Sequence, residues 1–265
     1  MSQLYTEKYV KDTNSPWLVF LHGFGGSIKM WKRQVDQFKE RYNLLFLDLP
    51  GHGKSRAGIS GKMIEKFEDI ADIVMDTLKE NGIQKATFMC VSLGSLVFAA
   101  LVTKYPNVVD SAILCGAISG MNGACQSLLG FVDKIKIGLP YMLVLTFFAY
   151  VLMPFESHKK SREFFVKSGK LLGKDEFIAW FSLFVKDMNV LKNLENIKTK
   201  ILFIEGDEDF VFISGVKKKC KQVKEASLSV IKHCGHVCNI QKWKEFNDVA
   251  LDYLDHMYFE SSAIA

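Results

Sequence analysis

Apolar residues follow two alternating patterns along this chain. Short runs, Trp17 to Leu21, Leu44 to Asp48, Ala86 to Cys90, Ser111 to Cys115, Ile201 to Glu205 and Leu228 to Ile231, have the length and composition of buried strands. Between them the period changes to that of a helix. Ile64, Phe67, Ile70, Ala71, Val74 and Leu78 mark one face of a helix over Met63 to Asn81, stopped by Gly82. Leu93 to Tyr105 predicts a more buried helix, and Val237 to Tyr258 an amphipathic closing one. Strands alternating with helices predict an α/β fold, a mostly parallel sheet with helices on both faces.

The alternation stops after residue 117. From Ile118 to about Asn193 the pattern is helical and irregular, and strand-helix alternation resumes at Lys200. This divides the chain into a core of 1–117 and 194–265 and a helical insertion of 118–193. Such an insertion sits over the carboxyl ends of the strands, where open α/β sheets place their sites. Within it, Ile137 to Phe155 is 19 residues without a charge, close to the roughly 20 that span a bilayer. Pro140 and Pro154 leave only 13 residues between them, which predicts a buried helix rather than a span.

Composition narrows the class further. The 265 residues are 49% apolar and 24% charged, enough to build a sizeable core and incompatible with a disordered chain. A net charge of +5 without a basic stripe interleaved with aromatics gives no nucleic-acid signature, and the lysines at 217–219, 221 and 224 read as a solvated helix face. The opening residues are polar and lack the apolar stretch of a secretory leader. The six cysteines are therefore expected as free thiols in the cytoplasm.

Five motifs carry chemistry. Cys90-Val91-Ser92-Leu93-Gly94-Ser95 joins a strand to a helix, a sharp elbow that exposes Ser92 at a helix N-terminus. His22-Gly23-Phe24-Gly25-Gly26 follows the first strand, where the Phe24 amide can point at a substrate oxygen with the Leu93 amide as second donor. Asp48-Leu49-Pro50-Gly51-His52-Gly53 makes a tight turn of structural character, with His52 as a packing residue. Gly206-Asp207-Glu208-Asp209 and His233-Cys234-Gly235-His236-Val237-Cys238 end the two late strands with carboxylates and imidazoles. Asp207, Glu208 and Asp209 compete for the acid. His236, beside Gly235 in the loop, suits a base better than His233 at the strand end.

Together these motifs resemble those of the α/β-hydrolase superfamily, small bacterial capped hydrolases above all, over nearly the whole chain except the insertion. The resemblance implies the α/β-hydrolase fold, with a helical cap inserted after the sixth strand. It implies Ser92 as nucleophile, Asp209 as acid, His236 as base, and the amides of Phe24 and Leu93 as oxyanion hole. Cys90 and Ser95 stand where the family usually has glycine. An aspartate in place of Ser92 would mark dehalogenases and epoxide hydrolases, so those are excluded.

No cofactor is implied. His233, Cys234, His236 and Cys238 invite a metal, but zinc sites pair such groups with a second, distant pair that is absent, so no metal is expected. The aromatic residues of the insertion, Phe147, Phe148, Trp180 and Phe181, are expected to bind substrate above Ser92. The expected activity is hydrolysis of a small-molecule ester with an apolar acyl or aromatic group, through an acyl-enzyme. Carbon–carbon hydrolysis, a lyase step, or a hydrolase-like receptor are the alternatives, and weak contact of the cap with a membrane surface stays open.

Overall fold

A computed structural model describes residues 4–55, 58–59, 64–119 and 123–260. In chain order the strands are β1 (Thr6–Tyr9), β2 (Trp17–Leu21), β3 (Asn43–Leu47), β4 (Ala86–Val91), β5 (Val109–Cys115), β6 (Lys200–Gly206) and β7 (Ala226–Ile231). The helices are α1 (Val35–Phe38), α2 (Phe67–Glu80), α3 (Leu93–Lys104), α4 (Gly123–Ile135), α5 (Tyr141–Leu152), α6 (Lys159–Leu172), α7 (Lys174–Asp187), α8 (Ile213–Gln222), α9 (Cys238–Gln241) and α10 (Trp243–Asp255).

The strands form one sheet in the order β1-β3-β2-β4-β5-β6-β7. All pairs are parallel except β1 with β3, where Thr6 faces Leu47. Side chains alternate across it. Val19, Leu21, Phe88, Cys90, Ala112 and Leu114 pack under α2 and α3, while Leu18, Phe20, Met89, Val91, Ile113 and Cys115 pack against Trp31, Phe38, Phe246 and Leu254. The mostly parallel α/β architecture is thus the one expected from the pattern.

Three elements differ from expectation. The polar run Thr-Glu-Lys-Tyr forms β1, an edge strand held by backbone pairing to β3, so it carries no hydrophobic signature. The insertion leaves the sheet after the fifth of seven strands, β5, and not after a sixth. The closing helix is broken at Lys242 into α9 and α10. Gln34 Nε2 donates to the Asn239 carbonyl at 3.1 Å and so competes for the acceptor that an unbroken helix would offer Trp243.

The insertion packs directly on the core. Its buried residues Leu129, Val144, Leu145, Phe177 and Trp180 join the same cluster as α2 and α3. Polar anchors tie it down: Trp180 Nε1 donates to Pro50 O at 3.0 Å, Ile59 N to Glu176 Oε2 at 2.9 Å and Phe67 N to Asp187 Oδ2 at 2.8 Å. The last is a carboxylate at the N-terminus of α2, where exposed amides and the helix dipole favour an anion. The charge-free stretch from 137 to 155 holds the 12-residue α5. Among the described residues no helix is long and apolar enough to cross a membrane.

Candidate active site

Five loops at the carboxyl ends of the strands converge on Ser92. The residue sits between β4 and α3 with φ 51° and ψ −114°, a conformation that L-residues rarely adopt. Its amide donates to Cys115 O at 2.9 Å, tying the elbow to the end of β5. Gly94 is required here, since a Cβ on it would lie 2.5 Å from Leu21 O. Cys90 and Ser95 are accommodated for different reasons. The Cys90 side chain is wholly buried under α3, below the elbow. The Ser95 hydroxyl donates to Ser92 O at 2.6 Å and accepts from Ile118 N at 3.2 Å.

His236 Nε2 lies 2.9 Å from Ser92 Oγ, and His236 Nδ1 lies 2.7 Å from Asp209 Oδ2. Asp209 is fully buried and also accepts from Phe212 N. The neighbouring acids go elsewhere. Asp207 accepts from Cys234 N, and Glu208 pairs with the buried His158 at 2.8 Å. His233 points outward, its side chain 86% exposed. Gly116 is φ +55°, and a Cβ on it would run into the His236 carbonyl, so the end of β5 presses directly on the imidazole loop.

Phe24 and Leu93 both line the cavity at Ser92, and neither amide has a protein partner among the described residues. Two other histidines shape the loop that carries Phe24. His22 Nδ1 donates to Gly23 O at 2.8 Å and its Nε2 accepts from Leu49 N at 2.9 Å. His52 Nδ1 donates to Pro50 O and its Nε2 accepts from Gly25 N, both at 3.0 Å. Each ring therefore uses one nitrogen as donor and one as acceptor, which only the neutral imidazole can do. Burial pushes His22 down to about 4 and His52 well below its ordinary value. The motif reading found His52 as a packing residue and missed this pairing, because the partners are backbone groups of two separate loops.

Glu205, fully buried beside Asp209, was also missed. Its Oε1 accepts from Ala117 N at 2.7 Å, and burial with the Asp209 carboxylate pushes its carboxyl well above the usual range. Through this bond it anchors the loop that leaves β5. Five thiols, Cys90, Cys115, Cys220, Cys234 and Cys238, are free. Among the described residues no cluster of His, Cys, Asp or Glu has the geometry of a metal site.

Ser92 is shared by two hollows. The larger, about 830 Å³, is walled by Phe24, Leu145, Phe148, Phe165, Phe177, Phe181, Phe184 and Phe212 with other apolar residues, and among the described residues Ser92 is its one polar lining residue. The smaller, about 360 Å³, lies on the His236 side and includes Ser161, whose buried Oγ has no partner among the described residues. Two expected pocket residues are elsewhere. Phe147 is 46% exposed on the outer side of α5, and Trp180 is held against Pro50 by its indole N–H. Phe148 and Phe181 line the large hollow. Helical spacing alone could not separate these pairs, because Phe147 and Phe148 differ by about 100° in direction on the helix.

A family model of the alpha/beta hydrolase fold matches residues 16–170. A 2-succinyl-6-hydroxy-2,4-cyclohexadiene-1-carboxylate synthase of Escherichia coli O8 is 42% identical over 123 residues, 46% of this chain and 38% of that protein. An (E)-2-((N-methylformamido)methylene)succinate hydrolase of Acinetobacter baylyi is 27% identical over 139 residues, 52% of each chain. The match thus spans about two-fifths to one half of these relatives. Among solved structures, MenH from S. aureus superposes with TM-score 0.80 at 19% identity, covering 95% of this chain and 98% of that one. A carboxylesterase structure from Nitrososphaera gargenis gives 0.79 at 22%, covering 96% and 94%.

Proposed function

This chain belongs to the alpha/beta hydrolase fold family, and from that premise we propose that it is a serine hydrolase of carboxylic esters with an apolar acyl or aromatic group. The observation that carries the reading is the Asp209–His236–Ser92 relay, with contacts of 2.7 and 2.9 Å, opening onto a hollow walled almost entirely by hydrocarbon. Serine is a weak nucleophile until a base takes its proton. His236 Nε2 accepts that proton as Ser92 Oγ attacks the ester carbonyl, and Asp209 holds the ring by its Nδ1–H and stabilises the imidazolium. The unpartnered amides of Phe24 and Leu93 receive the oxyanion. The proton on His236 then passes to the departing alcohol, and water, activated by the same base, releases the acid.

The acyl chain occupies the large hollow, under the insertion acting as a lid. The alcohol departs through the smaller one, where Ser161 Oγ offers a hydrogen bond. The free thiols support a reducing, cytoplasmic setting.

A lyase or carbon–carbon hydrolase reading is favoured by the names of the relatives, which carry succinyl, succinate and carboxylate groups. Anionic substrates call for cations, and the described arginines are engaged away from the hollow. Arg162 donates to Met153 O and Phe155 O, Arg41 pairs with Asp255, and Arg33 stacks on Trp243. The test is turnover of p-nitrophenyl esters of increasing acyl length by the parent and by Ser92→Ala. The variant is expected to lose about 10⁴-fold or more, and full activity in it overturns the proposal. A parent inert to every ester but active on a succinyl-bearing anion selects the second reading.

A further inference from the structure

The insertion turns apolar side chains outward as systematically as inward. On α4, Leu128, Phe131 and Ile135 recur at helical spacing and are 42%, 60% and 38% exposed, while Leu129 and Val132 face the core. On α5, Leu143, Phe147, Tyr150 and Val151 form a second such stripe, opposite the buried Val144, Leu145 and Ala149. Ile137, between the two helices, is 69% exposed. This surface is continuous with the site, since Leu128 and Val151 also line the large hollow and so stand at its mouth. Isolated exposed apolar residues are ordinary, but two helical stripes that each reach the lining of one hollow are not.

Charge points to what covers this face. Residues 118–193 hold ten basic and six acidic residues, so the insertion accounts for +4 of the chain's +5. The helix α6 packs beside α5, with the Arg162 guanidinium 4.3 Å over the Tyr150 ring and the Tyr141 hydroxyl donating to Lys170 O. Its exposed stripe runs through Lys160, Lys167 and Lys170 and ends on Leu171, which is 76% exposed. None of these three lysines pairs with a carboxylate among the described residues. Apolar stripes bordered by unpaired lysines are the composition of a surface that lies in a lipid interface, with hydrocarbon below the headgroups and ammonium groups among the phosphates.

We propose that the outer face of α4 and α5, with the lysine stripe of α6, docks on an anionic lipid surface. The mouth of the large hollow is then presented to acyl esters dissolved in that surface. The substrate side of this inference rests on the ester-hydrolase reading; the docking does not.

Docking is read by co-sedimentation of the full chain, carrying Ser92→Ala, with vesicles of phosphatidylcholine alone or in equal mixture with phosphatidylglycerol, without substrate. Binding is expected to the mixed vesicles, with loss at high salt. Phe131→Asp with Leu143→Asp should weaken it by about tenfold or more, and Lys160→Glu, Lys167→Glu and Lys170→Glu together by about fivefold per lysine. Both sets, made in the parent, should leave hydrolysis of a soluble short-chain ester unchanged. Should the aspartate pair fail to fold, the lysine set alone decides. No binding to either vesicle, or binding untouched by the lysine set, overturns the proposal. Self-association in ultracentrifugation that the aspartate pair abolishes also overturns it, by giving the face to a second copy. Ester turnover is measured without vesicles, so its failure strikes the hydrolase reading alone.

Discussion

The sheet and the insertion use apolar residues in opposite ways. In β2 to β5 nearly every side chain is buried, and the loops at their ends are held by hydrogen bonds to neutral histidines and a buried acid and by glycines with no room for a Cβ. Among the described residues, ten of the fourteen exposed large apolar side chains lie between 128 and 171. The sheet region is over-determined, with several constraints on each backbone segment. The insertion is anchored at a few polar points and otherwise offers hydrocarbon to a cavity on one side and to solvent on the other. Substitutions in the first region should therefore cost stability, and in the second should alter what is bound.

The sharpest break in that contrast would come from Gly94→Ala. With a Cβ placed 2.5 Å from Leu21 O, the start of α3 must shift, and a loss of about 3 kcal/mol or more is expected in urea unfolding. A variant as stable as the parent would remove the idea of an over-determined core.

Acid stability tests the same region without mutation. His22 is held at about 4 in the fold against 6.5 for the free group. The unfolded chain binds the extra proton, so stability is full above pH 6.5 and falls as pH drops toward 4. The loss is roughly 3 kcal/mol for His22, and His52 adds to it in the same direction. A flat unfolding free energy over this range would contradict two neutral buried imidazoles.

Effects in the insertion should be smaller and of another kind. Phe148→Ala enlarges the hollow beside Phe181, and the preferred acyl chain should lengthen, with kcat/KM for the original best ester falling about tenfold. An unchanged chain-length profile would detach this wall from substrate choice. Smallest of all, Gly130→Ala meets no atom within 4 Å in α4 and should raise stability by about 0.5–1 kcal/mol. The same substitution would thus act with opposite sign in the two regions.

Much of the site was legible because its motifs are local. Ser92 at a strand-to-helix turn and His236 in a glycine-flanked loop follow from chain order and small neighbours. Other features had no local signal. Thr6–Tyr9 is polar, and only pairing with β3 makes it a strand. Phe147 and Phe148 are equally aromatic, and only the packing of α5 sends the second into the hollow. Glu205 looks like any strand-end acid until its surroundings are closed over it.

By itself the sequence determined the alternation of strands and helices, the elbow at Ser92, and the order in which Ser92, Asp209 and His236 occur. These depend on backbone preferences and side-chain periods over a few residues. Tertiary structure decided which of three adjacent carboxylates meets His236, which histidines are buried neutral, and which apolar residues line the hollow and which face outward. Each of those outcomes depends on the direction of a side chain relative to elements distant in sequence, and on the water excluded when they meet.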